Sequence, residues 1–168
     1  MNQIARIGIS WVLLVAAQVL VFNALGLGQF ATPFPFVLLV LMLPFELPLV
    51  GVLIGAFFTG LLVDSLSDIN SLGLHAFSLT LMAALRDYWV PVVSSSVYRS
   101  LSEIDLRRQR LSWYVLYAFP LIMVHHLAYF LLDGRGVYLG RAILKAFASG
   151  LYTFAICYLL IVIFYRKQ

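Results

Sequence analysis

The sequence predicts an all-α, polytopic membrane helix bundle, and three observations carry that prediction. Of the 168 residues, 63% are hydrophobic, only 11% are charged, and the mean hydropathy is +1.00. The charges gather in a few short windows. Most stretches between them approach or exceed the roughly 20 helical residues that a hydrocarbon core requires. A soluble chain of this size could not hide so much apolar surface. The longest polar window, Ser94 to Arg110, is no separate soluble domain. Residues 1–168 are expected to form a single integral-membrane domain.

Six apolar segments predict about six transmembrane helices: Ile7 to Leu27, Phe34 to Phe45, Leu49 to Val63, Leu74 to Val90, Leu111 to Leu132 and Val137 to Phe164. The first follows Arg6 and lacks a small-x-small cleavage pattern, so it reads as a retained helix rather than a secretory signal. The second is studded with Pro33, Pro35, Pro44 and Pro48, which remove backbone donors and confine regular helix to the interval between them. Phe34 to Val63 is therefore either a tight hairpin of two short or tilted helices or a broken, partly re-entrant element. Broken backbone survives in a bilayer only where protein or water satisfies it, so this region should face other helices more than lipid.

Charge asymmetry sets the expected orientation. With both termini cytoplasmic and six crossings, Arg6, Arg86, Arg99, Arg107, Arg108, Arg110, Arg166 and Lys167 lie inside, against Arg135, Arg141 and Lys145 outside, as the positive-inside tendency requires. A five-span alternative fuses the second and third segments. The net charge of +4 is thus a topology signal rather than a nucleic-acid footprint. The loop SSSVYRSLSEIDLRRQRL places Ser100 and Glu103 at capping-box spacing. Its Arg107, Arg108 and Arg110 precede Trp113 and Tyr114 and form a membrane-surface anchor that meets anionic lipid headgroups.

Small residues recur every four positions along two segments: Gly51, Gly55 and Thr59 in one, Ala142, Ala146 and Gly150 in the other, with Thr153 and Cys157 continuing nearby. Such edges let helix backbones approach closely in lipid. Intramolecular packing is the plain reading and docking of a partner's helix the sharper one. On the packing reading, Leu at Gly55 overfills a close contact.

Chemistry-bearing candidates are few. His125 and His126 are adjacent, about 100° apart on a helix, so they do not readily chelate one ion together, and their plain role is hydrogen bonding across helices. Asp64 is either an ion-coupling carboxylate or a structural cap, with Asn70 or Ser71 as further caps for the fourth helix. The lone Cys157 excludes an intramolecular disulfide. Phosphate-cradling glycine loops, GxSxG, HExxH and CxxC are missing. The expectation is a non-enzyme with no metal and no cofactor. An intramembrane serine protease would have to rely on Ser78 or Ser149, whose contexts look like packing.

The order LLVLMLPFELP, then GAFFTGLLVDSLSDINSLGLHAF, then a fourth helix closing on Leu85, Arg86 and Asp87, resembles the rod shape-determining protein MreD family. His125 and His126 followed by Asp133 fit forms of that family. The resemblance is most specific from Pro33 to Asp87, while length and segment number agree over nearly the whole chain. It implies a non-enzymatic scaffold of the bacterial elongation complex in the cytoplasmic membrane, supporting lateral peptidoglycan synthesis and rod cell shape. The implied direct partner is MreC. RodA, a class B penicillin-binding protein and the MreB filament follow through the complex. The family fold is thought to resemble the substrate-binding subunits of energy-coupling-factor vitamin transporters, which supplies the rival function. Against that rival, the first helix has no small-xxx-small edge and Gly28 to Thr32 is short for a ligand lid. Gly60, Asp64, Gly73 and His75, with Gly51 and Gly55 as the packing edge, are the expected partner-binding residues.

Overall fold

The computed structural model describes residues 3–67, 72–94, 110–133 and 138–165, and everything regular within them is helical. Helix α1 (Gln3–Ala17) runs into a π-turn, Gln18–Phe22. A 3₁₀ turn at Pro35–Val37 leads into the single turn α2 (Leu38–Leu41). Then come α3 (Leu49–Ser67), α4 (Leu74–Ser94), α5 (Leu111–Leu132) and α6 (Leu139–Leu160), the last ending in a π-turn, Ile161–Tyr165. Among the described residues, three helices are long and apolar enough to cross a membrane: Leu49–Ser67, Leu111–Leu132 and Leu139–Phe164.

Two boundaries differ from the sequence reading in ways that matter. The third helix does not stop at Asp64 but carries it one turn inside, to Ser67. The fourth continues through Pro91 to Ser94. Capping by Asn70 or Ser71 lies outside the described residues, as do Asp68, Ser100, Glu103, Arg107 and Arg108. Arg110 is described: it is exposed and extended (φ −70°, ψ 154°), and its carbonyl accepts the first helical bond of α5 from Tyr114 N–H at 3.1 Å.

Helices α3 and α4, α4 and α5, and α5 and α6 pack as successive neighbours. Helix α1 runs parallel to α3. Trp11 Nε1 donates to Thr59 Oγ1 at 2.8 Å midway along, and Asn23 Nδ2 donates to Ser67 Oγ at 2.8 Å where both elements end. The chain between them must travel back through the bundle, and residues 33–48 do so. Every residue from Phe34 to Leu41 is buried, so the proline-broken segment forms the centre of the molecule rather than a lipid-facing hairpin.

Irregular backbone at the centre of an apolar bundle needs partners, and each neighbouring helix supplies one. Thr32 N–H donates to Ser149 Oγ and Phe34 N–H to Thr153 Oγ1, both at 2.9 Å. Gln18 Nε2 donates to the Pro33 carbonyl at 3.2 Å. Tyr117 Oη donates to the Leu41 carbonyl at 3.0 Å. The fully buried Arg86 donates from Nη2 to the carbonyls of Leu43 (2.8 Å) and Pro44 (3.2 Å), and its guanidinium carbon stands 4.5 Å from the Phe45 ring centroid. A cation there answers the oxygen ends of a helix turn that cannot continue.

The same accounting explains the α4–α5 seam. Pro120 has no N–H, so the carbonyl four residues earlier loses its helical donor. That carbonyl, Leu116 O, instead accepts Trp89 Nε1–H across the seam at 3.0 Å. On the α5–α6 seam, Ala142, Ala146 and Gly150 are buried, and a Cβ at Gly150 would stand 2.5 Å from Met123 Sδ. This small-residue edge is internal packing.

Arg86→Met is expected to leave the Leu43 and Pro44 carbonyls without donors and to destabilise the protein by about 3 kcal/mol. Arg86→Lys should recover part of that loss. Thermal unfolding in detergent measures both; an Arg86→Met midpoint equal to the parent's would show that the guanidinium does not hold the segment.

Candidate functional site

The α3–α4 hairpin carries four of the residues singled out in the sequence, and it joins them in one device. Helix α4 begins after Gly73, which has no side chain to cap it. Its free N–H groups at His75 and Ala76 instead point at Asp64, eleven and twelve residues earlier and on the other helix. Asp64 Oδ1 accepts His75 N–H at 3.0 Å, and Oδ2 accepts Gly73 N–H at 2.9 Å and Ala76 N–H at 3.1 Å. The carboxyl group is fully buried. Asp64 is therefore an N-cap acting from a neighbouring helix, which is the structural reading of this residue.

Two glycines allow it. Gly73 has φ +94°, a conformation that side chains with a Cβ rarely adopt. Gly60 lies one turn before Asp64, where a Cβ would stand 2.5 Å from Ala76 N and 2.6 Å from the His75 carbonyl carbon. No side chain fits there, because the atoms it would meet are backbone. The two helices touch at Gly60, and that contact sets the depth at which the Asp64 carboxyl meets the start of α4.

Beneath the cap lies a cluster of rings. His75 stacks on Tyr129 with centroids 4.3 Å apart, and meets Phe34 at 4.5 Å and Phe36 at 5.1 Å edge to face. Its ring lies 5.7 Å from His125 at 13° between planes. His126 Nδ1 lies 2.8 Å from the Ile122 carbonyl, so it donates, and Nε2 lies 2.9 Å from Thr153 Oγ1. Thr153 already accepts Phe34 N–H. Phe34 N–H to Thr153 to His126 to Ile122 O thus forms a complete chain with a neutral imidazole. His126 fulfils the expected cross-helix role, tying α5 to α6 and to the central segment.

His125 does not. Both its ring nitrogens are buried without a partner, as are His75 Nδ1 and Ser78 Oγ. Each such group costs about 1–3 kcal/mol if left unsatisfied. Among the described residues, no three histidine, cysteine or acidic side chains are grouped to hold a metal ion.

The predicted packing edge behaves differently from its counterpart on α6. Gly51 and Gly55 are exposed. A Cβ at Gly51 would meet only Pro48 Cγ at 3.6 Å, and one at Gly55 would meet nothing within 4 Å. Thr59 is turned inward, donating to the Gly55 carbonyl at 2.7 Å while accepting from Trp11. The expectation that Leu at Gly55 overfills a contact within the chain is therefore corrected: Val50, Ile54 and Phe58 line the same open face. Gly60, Asp64 and His75 are buried, so they bear on docking only by holding the hairpin. Gly73 is half-buried.

Sequence reasoning passed over Arg86, Gln18 and Thr153 as functional residues. The four prolines around Phe34 were the available signal, since each missing donor or broken turn calls for an outside partner. No family model, curated protein or solved structure matches this chain.

Asp64→Asn keeps the Oδ position facing Gly73 and Ala76 and sets an amide NH₂ against His75 N–H; a loss of about 1–3 kcal/mol is expected, with Asp64→Leu losing more. Gly60→Ala, favourable in an ordinary helix by roughly 0.5–1 kcal/mol, should here destabilise by about 1–3 kcal/mol through overpacking. Thermal unfolding reads both, and a stabilised Gly60→Ala would disprove the close approach.

Proposed function

We propose that this chain is a non-enzymatic scaffold of the bacterial elongation complex in the cytoplasmic membrane, supporting lateral peptidoglycan synthesis by binding MreC. The observation that carries the reading is the open glycine edge of α3. Of two small-residue edges in the sequence, one is consumed by packing between α5 and α6. The other, Gly51 and Gly55, lies on a helix long and apolar enough to span a bilayer and has no neighbour within 4 Å of a Cβ at Gly55 among the described residues. In lipid, such an edge favours a second helix at close range. MreC, with its single span, is the partner proposed for it. RodA, the class B penicillin-binding protein and MreB would join through the assembled complex.

The proposed topology counts six passes, with α1, the broken segment and α3 to α6 as one pass each and both termini cytoplasmic. Arg107, Arg108 and Arg110 then anchor the start of α5 to anionic headgroups. The rival, a substrate-binding subunit of a vitamin transporter, needs a ligand space between helices. Phe36, Val37, Leu38 and Leu41, all fully buried, fill the centre of this bundle instead, which favours the scaffold.

Gly55→Leu and Gly51→Leu are expected to leave thermal stability unchanged or to raise it by up to about 1 kcal/mol, since both positions are open and lose a helical glycine. Both should weaken the complex by about 1–3 kcal/mol through overpacking of the docked helix. Co-purification from native membranes in mild detergent reads the effect as loss of MreC. Full recovery of MreC with both variants would sink the docking assignment, and recovery of coupling ATPases with a bound vitamin would replace the scaffold reading altogether.

A further inference from the structure

Several buried polar atoms of α4 and α5 have no hydrogen-bond partner, and four of them lie just beneath the Asp64 cap: His75 Nδ1, Ser78 Oγ and both ring nitrogens of His125. The rings of His75 and His125 lie 5.7 Å apart. Ser78 is one turn along α4 from His75, on the same buried face. The antiparallel register, given by Trp89 on Leu116 and His75 on Tyr129, sets Ser78 opposite residues 126–127, within two residues of His125. The orphaned atoms therefore share one region of the seam.

They are orphaned against the habit of their neighbours. Thr59, Ser65 and Thr80 each donate to the carbonyl four residues back, at 2.7, 2.8 and 2.7 Å. His126 does the same through Nδ1 and satisfies Nε2 as well. Ser78 shares α4 with Thr80, and His125 shares α5 with His126, yet neither bonds a carbonyl of its own helix. Buried polar groups in folded proteins are paired with protein or with ordered water.

The set also defines its ligand. A neutral imidazole presents one donor and one acceptor, and a hydroxyl presents both. Whatever serves the seam must donate and accept. It must also be small, because Ser78 and His125 are fully buried and His75 is 3% exposed. We propose that His75, Ser78 and His125 bind internal water, making a hydrated polar seam between α4 and α5 directly beneath the Asp64 cap. This site is independent of which partner α3 takes.

X-ray hydroxyl-radical footprinting of the protein in lipid nanodiscs tests it, because radiolysis of bound water oxidises the side chains that water touches. His75 and His125 are expected to be oxidised as fast as exposed residues and well ahead of Tyr117, which is equally buried but bonded to Leu41 O. His125→Phe should abolish the His75 signal and lower the thermal midpoint, since the new ring keeps the packing but removes partners of the water. Oxidation of His75 and His125 no faster than that of Tyr117 overturns the proposal. A raised midpoint for His125→Phe overturns it too, as the mark of a dry pair relieved of polar atoms. The footprint of the unaltered protein decides the matter alone should the variant not fold.

Discussion

A backbone that cannot be regular lies at the centre of this bundle, and the polar side chains of the interior are arranged around its needs. Prolines at 33, 35, 44 and 48 deny residues 33–48 a continuous helix. Free carbonyls and N–H groups in an apolar setting would be prohibitive without partners. Gln18 from the π-turn that continues α1, Arg86 from α4, Tyr117 from α5, and Ser149 and Thr153 from α6 supply them. Buried glutamine, arginine and threonine in a chain this apolar are thus structural, and together they tie four helices to one another through the segment they enclose.

The same logic recurs at smaller scale. Asp64 caps a helix that begins on a glycine, and Trp89 supplies the donor that Pro120 withholds. In each case one element carries a backbone defect and a neighbour carries its complement. Such pairs specify geometry more sharply than apolar contacts do, because a misplaced helix loses a hydrogen bond as well as area. The α5–α6 seam, by contrast, rests on Ala142, Ala146 and Gly150 and needs only shape. The open edge at Gly51 and Gly55 has neither defect nor complement among the described residues.

Much of the architecture was legible in the sequence. Composition foretold an all-helical chain with apolar helices, and Leu111–Leu132 was bounded correctly by hydropathy and the arginines before it. The prolines left a tight hairpin and a broken element as alternatives, with the segment expected to face other helices, and the buried single turn Leu38–Leu41 is the broken one. What could not be read was which distant residues would serve it, because Gln18 and Thr153 look like ordinary polar interruptions until a tertiary neighbour is known. Helix α3 ran past Asp64 for a related reason: a carboxylate ends an apolar run in sequence, yet in space it is paired, by N–H groups beyond the turn. The two small-residue edges were indistinguishable as patterns, and only their neighbours separate one from the other. His125 and His126 likewise look alike in sequence, although one ring is fully bonded and the other is not.

The bonds of the central segment also constrain how the chain is made. Thr32 and Phe34 find their acceptors in Ser149 and Thr153, separated from them by 117 and 119 residues. Synthesis proceeds from the N-terminus, so the first half of the protein leaves the ribosome long before α6 exists. During that interval the Thr32 and Phe34 N–H groups lack the acceptors they hold in the folded chain, although Gln18 is already present to serve the Pro33 carbonyl. Those two N–H groups need water or another transient acceptor until α6 is made, and loss of α6 would strand backbone in the middle of the bundle.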